Sequence, residues 1–229
     1  MPHLEPLGDQ AVLAACADEA EALRFAAAVR RLNPPWLVDV VQAYATVAAF
    51  FDPERTYFNE AKAALHDLGM EEAGSPVGSL HLVPCCYALN LDLERVAAAT
   101  GLSADEVIQL HSSAEYTVYA IGFCPGFPYL GYLPPPLCGV PRLTAPRLRV
   151  EAGSVGLTGK QTGIYTEDRP GGWNLVGRTP LELVNVADGY FPLRTGDRVR
   201  FVPIDEAEYG RLLGRRLHSE SDSRGVTIP

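Results

Sequence analysis

The residues best suited to chemistry crowd the second half of this chain. Between Pro141 and Pro180 stand Arg142, Arg147, Arg149, Lys160, Arg169 and Arg178 against Glu151, Glu167 and Asp168, a local charge of +3 in a chain whose formal net charge is -9. A basic island in an acidic protein suits a carboxylate or a phosphate, because a guanidinium presents a planar fork of N–H donors to two oxyanion oxygens at once. The competing reading has these side chains capping strand ends or pairing with the acidic remainder. Within the island, Ser154-Val155-Gly156-Leu157-Thr158-Gly159-Lys160-Gln161 approaches a phosphate loop. Ser154 stands where the first glycine belongs, Gln161 where the magnesium-binding hydroxyl belongs, and no helical pattern follows, so a β-turn is the expectation.

Gly171-Gly172-Trp173-Asn174 is a turn backed by a large aromatic. Its glycines let the backbone pass close to a ligand or another chain, or simply make a tight turn over a core tryptophan. Phe123 to Leu130 is an aromatic, proline-rich loop. With Phe127, Pro128 and Tyr129 it offers an apolar docking anchor, or a cover over one end of a β-domain. His111 falls four residues after Val107 on the apolar face of a helical pattern, which fits a satisfied core histidine or a functional one. The histidines have no local ligand spacing, and the five cysteines, Cys16, Cys85, Cys86, Cys124 and Cys138, form no C-x-x-C. No metal site is expected, and free thiols in a reducing compartment are.

These groups need elements to hold them. Ala11 to Cys16, Leu37 to Tyr44, Thr46 to Phe51 and Leu80 to Tyr87 read as strands. Helices are expected from Asp18 or Glu19 to Leu32, ended by Asn33-Pro34-Pro35, and from Asp52-Pro53 to Leu68, ended by Gly69. The order β-α-β-β-α-β predicts a split βαβ, ferredoxin-like unit over residues 1–87. Residues 88–115 form a helical connector, in which Ser103 and Glu106 make a capping box. From Gly122 glycine and proline multiply, and short apolar runs such as Ser154 to Leu157, Leu181 to Val186 and Arg198 to Val202 predict a β-barrel or sandwich over 116–205. A helix and a frayed tail are expected over 206–229.

The 229 residues are 47% hydrophobic and 21% charged, a globular composition. The acidic balance argues against nucleic-acid or anionic-membrane binding. The most apolar region, Trp36 to Phe51, is broken by Asp39 and Gln42 and is too short to span a bilayer. With Glu5, Asp9 and Asp18 where a secretory signal needs a basic start, a cytoplasmic protein is expected.

The run His111-Ser112-Ser113, Glu115-Tyr116, Gly122-Phe123 and Pro125-Gly126-Phe127-Pro128-Tyr129-Leu130-Gly131 resembles the family of 5-oxoprolinase B subunits (PxpB). That family includes the sporulation kinase inhibitor KipI and was long labelled allophanate hydrolase subunit 1. The match continues through Pro141-Arg142, Pro146-Arg147, Ala152 to Gly156, Gln161-Thr162-Gly163-Ile164-Tyr165, Pro170-Gly171-Gly172-Trp173, Gly177-Arg178-Thr179 and Gly196-Asp197. The resemblance implies an α+β protein, an α/β N-terminal domain followed by a cyclophilin-like β-barrel. It implies partnership with the KipA-like C subunit and with the A subunit of 5-oxoprolinase in opening 5-oxoproline to glutamate at the expense of ATP. A KipI-like role, binding a histidine kinase, and a role in a urea- or allophanate-related complex are the alternatives. For the enzyme, His111, Arg147 and Arg178 are the catalytic candidates, Gln161 and Thr162 the substrate contacts, and Gly171, Gly172 and Trp173 the wall. No residue is an obvious nucleophile, which fits half a site completed by the C subunit. Tyr87-Ala88-Leu89-Asn90-Leu91-Asp92-Leu93 departs from the Gly-Gly stretch that the family usually carries there.

Overall fold

The computed structural model describes residues 1–68 and 78–217, which fall into two units divided between Val77 and Gly78. The predicted helix stop at Gly69, His218 and the tail beyond residue 217 lie outside the described residues.

The first unit is a four-stranded antiparallel sheet with two helices. Its strands are β1 (His3–Leu7), β2 (Ala11–Ala15), β3 (Leu37–Ala43) and β4 (Thr46–Phe51), in the spatial order β1-β2-β4-β3. Helix α1 (Glu19–Leu32) begins where Asp18 accepts a hydrogen bond from the Glu21 N–H at 2.7 Å. It ends where Asn33 turns left-handed, φ 41°, ahead of the two prolines. Its Phe25, Ala26 and Val29 pack with Val12, Ala14, Val47 and Ala49 of the sheet. Helix α2 (Phe58–His66) starts later than expected. The reason is that Asp52 spends its side chain and carbonyl on a separate turn, accepting from the N–H groups of Glu54, Arg55 and Thr56.

The sheet departs from the predicted ferredoxin-like unit in one strand. A split βαβ would return Leu80–Tyr87 beside β2, but β1 holds that place in register Leu4↔Ala14. The three-residue connection with Gly8 at φ 61° closes this hairpin at far lower entropic cost than a return from some 70 residues away.

The strand expected there is real and belongs to the second unit. β5 (Leu80–Cys85) is followed by α3 (Leu93–Thr100), α4 (Ala104–Ser113), β6 (Glu115–Ile121), β7 (Pro128–Gly131), β8 (Arg147–Val150), β9 (Ser154–Thr158), β10 (Gln161–Ile164), β11 (Arg169–Gly171), β12 (Asn174–Arg178), β13 (Arg198–Pro203) and α5 (Glu206–Leu212). The main sheet runs β5-β13-β6-β7-β10-β9-β12, antiparallel except for the parallel β5–β13 pair. It is not closed by a strand ladder. Its two ends meet at a single bridge, where Cys86 and Arg178 exchange backbone hydrogen bonds of 2.8 and 3.1 Å. β8 and β11 form a separate two-stranded ribbon. Alternate residues, among them Val118, Leu130, Val155, Leu157, Val199 and Phe201, fill the core under α3 and α4. The Ser103–Glu106 capping box opens α4 as expected. Leu181–Val186 is not a strand. Glu182 and Asn185 make only isolated bridges, and the Asn185 side chain accepts from the Ala187 N–H to turn the chain.

Candidate functional site

His111 occupies the last turn of α4 with no exposed surface. Nδ1 lies 2.7 Å from the Tyr87 hydroxyl, Nε2 lies 3.0 Å from Thr162 Oγ1, and Thr162 in turn donates to the Gly156 carbonyl at 2.9 Å. Because Thr162 spends its proton on that carbonyl, it accepts from Nε2–H, and Nδ1 accepts from Tyr87. The ring also stacks on Phe201 at 4.6 Å. Burial pushes its pKa down to about 3, so it is neutral. The structure therefore joins two predicted site residues, His111 and Thr162, in a closed internal network. Gln161, next along β10, is half-buried and pairs through its backbone with Gly131 and Thr158.

A second network contains Arg147. Its Nη2 donates to Asp92 Oδ1 at 2.7 Å, and Asp92 Oδ2 accepts the Leu175 N–H at 2.7 Å. Beside it, Arg95 Nε donates to Asn174 Oδ1 at 2.9 Å. Asp92 is 6% exposed, yet Arg147 Nη1 is buried without a hydrogen-bond partner among the described residues. Asp92 and Arg95 were missed from the sequence. Asp92 sits at the N-cap of α3 but makes no cap hydrogen bond, because its two oxygens serve Arg147 and the Leu175 N–H, while Asn90 accepts from the Leu93 N–H. Two candidate caps where one suffices is the signal that frees Asp92 for another task. Residues 87–92 contain no positive φ, so the turn departing from the family's Gly-Gly needs no glycine.

Phe127, Tyr129, Tyr165 and Trp173 pack edge to face with ring centroids 5.0–5.9 Å apart. A Cβ at Gly171 would overlap the Tyr165 hydroxyl, and the Gly172 carbonyl accepts from the Leu143 N–H at 2.7 Å. Close approach, rather than an unusual φ, is the demand for glycine at 171. The predicted docking anchor is corrected here. Phe127 is 1% exposed and Pro128 is buried within β7, since both rings complete the core beneath the loop, while Tyr129 is half-buried. The loop instead exposes Phe123 at 59%.

Arg178 is placed elsewhere. Nε donates to the Ala152 carbonyl at 3.0 Å, and Nη1 pairs with Glu151. It stands at the opposite end of β12 from the Gly171–Trp173 turn. Arg149 pairs with Asp168 and Arg169 with Glu167. The three acids of the basic island are thus each taken by an arginine of the island. Gly159 and Lys160 form the turn between β9 and β10, with Gly159 at φ 59°, as the β-turn expectation has it. The described residues contain no group of three or more His, Cys, Asp or Glu able to hold a metal ion, and none of the five cysteines is in a disulfide. No described helix is long and apolar enough to cross a membrane.

Residues 2–190 match the family described as "Carboxyltransferase domain, subdomain C and D". The chain is 35% identical over 228 residues to the 5-oxoprolinase B subunit of Bacillus subtilis (strain 168), covering 90% of this chain and 95% of that protein. It is 51% identical over 138 residues to the 5-oxoprolinase B subunit of Escherichia coli O157:H7, covering 59% of this chain and 63% of that protein. Among solved structures, TTHA0988 superposes with a TM-score of 0.73 at 39% identity, over 82% of this chain and 37% of the other. The chain thus spans little more than a third of TTHA0988.

Proposed function

The chain belongs to the carboxyltransferase C and D family and, within it, to the 5-oxoprolinase B subunits, and on that premise we propose that it is the B subunit of an ATP-dependent 5-oxoprolinase, opening 5-oxoproline to L-glutamate with the A and C subunits. The observation that carries this is the reach of the match: 35% identity extends across 90% of this chain and 95% of the Bacillus subtilis protein. We read the second unit as a cyclophilin-like barrel left open except at the Cys86–Arg178 bridge, and the first as a ferredoxin-like sheet whose fourth place β1 has taken.

A lactam amide resists water because resonance withdraws its carbonyl from attack. Transfer of the ATP γ-phosphoryl group to the amide oxygen turns that oxygen into a leaving group. With ADP released, one water adds to the ring carbon and the C–N bond breaks, leaving an acyl phosphate; a second water displaces phosphate and leaves glutamate. Each step builds negative charge that fixed donors stabilise. This chain supplies guanidinium groups, phenols and a buried amide network around Arg147, Tyr165 and Asn174. Its buried histidine of the α4 turn has both ring nitrogens engaged, which makes it a poor general base. On this reading the site is divided between chains: this one binds and orients, and the other two subunits bring the groups that activate water and hold ATP. Of the Phe127, Pro128 and Tyr129 anchor on which the kinase-inhibitor alternative relied, only Tyr129 keeps some exposure, which supports the enzyme reading over that alternative.

The test is reconstitution. The purified chain alone is expected to release no glutamate from 5-oxoproline and ATP, and addition of the A and C subunits is expected to restore release. Full activity of those two subunits without this chain would refute the assignment.

A further inference from the structure

Arg142 is the guanidinium of the basic island left over after pairing. Arg149, Arg169 and Arg178 close on Asp168, Glu167 and Glu151, and Arg147 closes on Asp92. Arg142 is exposed and, among the described residues, has no carboxylate partner. Its backbone is pinned on both sides. The Pro141 carbonyl accepts from Asn174 Nδ2 at 3.0 Å, and the Leu143 N–H donates to the Gly172 carbonyl at 2.7 Å. These bonds hold Arg142 against the Gly172–Asn174 turn, where Trp173, Tyr129 and Tyr165 gather. Burial raises the pKa of the Tyr129 and Tyr165 hydroxyls, and the Arg142 charge works against the rise at both, as Arg147 does at Tyr165.

The region holds donors in excess. Both oxygens of Asp92, its counter-charge, are already engaged, one by Arg147 and one by the Leu175 N–H. Arg147 Nη1 has no acceptor among the described residues. A buried N–H without a partner is costly, and such atoms in native proteins call for an explanation. Both Arg142 and Arg147 act on the Tyr165 hydroxyl, and an uncompensated guanidinium together with an unpaired donor leaves this region short of an anion.

We propose that Arg142, at the edge of the Tyr129–Tyr165–Trp173 cluster, receives an oxyanion of the ligand, with Arg147 as a positioning charge behind it. The choice of ligand rests on the 5-oxoprolinase reading, whereas the anion site itself does not. Two sources share this chemistry, the lactam's carboxylate and the transferred phosphoryl group.

The experiment uses Arg142→Ala, whose exposed position spares the fold, and Arg147→Lys, which keeps charge but loses the fork. In the reconstituted three-subunit complex, Arg142→Ala is expected to raise KM about tenfold with little change in kcat, because a hydrogen bond to a charged group is worth about that factor. A rise in KM for 5-oxoproline assigns the carboxylate, and a rise for ATP the phosphoryl group. A merely structural Arg147 would lower melting temperature alone, whereas a positioning Arg147 raises the same KM in Arg147→Lys. Separately, the full chain is titrated with 5-oxoproline and with inorganic phosphate. At least one of them is expected to raise the melting temperature of the wild type and not of Arg142→Ala. An inactive wild-type complex together with that anion-dependent shift would sink the 5-oxoprolinase reading and keep the anion site. Unchanged KM for both substrates in Arg142→Ala, or no wild-type shift with either anion, overturns the proposal.

Discussion

The His111 and Arg147 networks are both buried polar clusters in the second unit, and they end differently. Around His111 every ring nitrogen has a partner, the chain of donors terminates on the Gly156 carbonyl, and the ring is neutral. Around Arg147 one carboxylate serves a guanidinium and a backbone N–H, and one donor is left over. A satisfied network fixes a core, and an under-satisfied one retains the capacity to bind. By that contrast we propose that His111, the stronger candidate on residue type, is structural and that Arg142 and Arg147 carry the anion-binding role.

The largest effect expected is at Asp92. Asp92→Ala leaves Arg147 half-buried without its counter-charge and strands the Leu175 N–H, and should cost about 3 kcal/mol of unfolding free energy, toward the lower end for breaking a buried pair because Arg147 keeps some solvent contact. Urea denaturation measures it. A loss within experimental error would mean that the pair contributes nothing and that the contrast between the networks is empty.

Next comes acid. The His111 pKa is depressed from 6.5 to about 3 among Tyr87, Tyr116, Thr162 and Phe201, so the unfolded chain takes up the proton first as pH falls. This contribution is fully present above pH 6.5 and is lost progressively down to about pH 3. Between pH 7 and pH 5 it amounts to about 2 kcal/mol. His111→Phe should be less stable at neutral pH, since the Tyr87 hydroxyl loses its acceptor, and should lack this acid sensitivity. An acid dependence equal to that of the wild type would show that His111 is not the buried neutral group described.

Gly171→Ala forces a Cβ into the Tyr165 hydroxyl and should cost about 1–2 kcal/mol, the usual penalty for overpacking, while disturbing the aromatic cluster. Thermal melting with near-ultraviolet circular dichroism reads both. The smallest effect is at Arg178. Its partner Glu151 is more than half exposed, so Arg178→Ala should lose at most about 1 kcal/mol and leave KM unchanged. A tenfold rise in KM there would move the site to the other end of β12.

What the sequence disclosed follows contact range. Helix α1 with its Asp18 and Asn33 caps, the Ser103–Glu106 box, and strands β3, β4 and β9 rest on neighbours in the chain and were readable locally. The apolar face that carries His111 was readable for the same reason. The partner of β5 was not, because β13 begins more than a hundred residues later and nothing local names it. Asp92 meets Arg147 across 55 residues, so its role was hidden behind a plausible cap. Leu181–Val186 had the apolar run of a strand without a neighbouring strand to pair with. Phe127 and Pro128 had the composition of a docking loop, yet burial depends on the core that they face.

The most direct measurement compares KM for 5-oxoproline and ATP in reconstituted complexes carrying His111→Phe or Arg142→Ala, at a temperature where both variants are folded. Arg142→Ala is expected to raise one KM about tenfold, and His111→Phe to leave both within twofold of the wild type. A large rise for His111→Phe with none for Arg142→Ala would contradict both expectations, returning function to the buried histidine and leaving the unpaired guanidinium as surface charge.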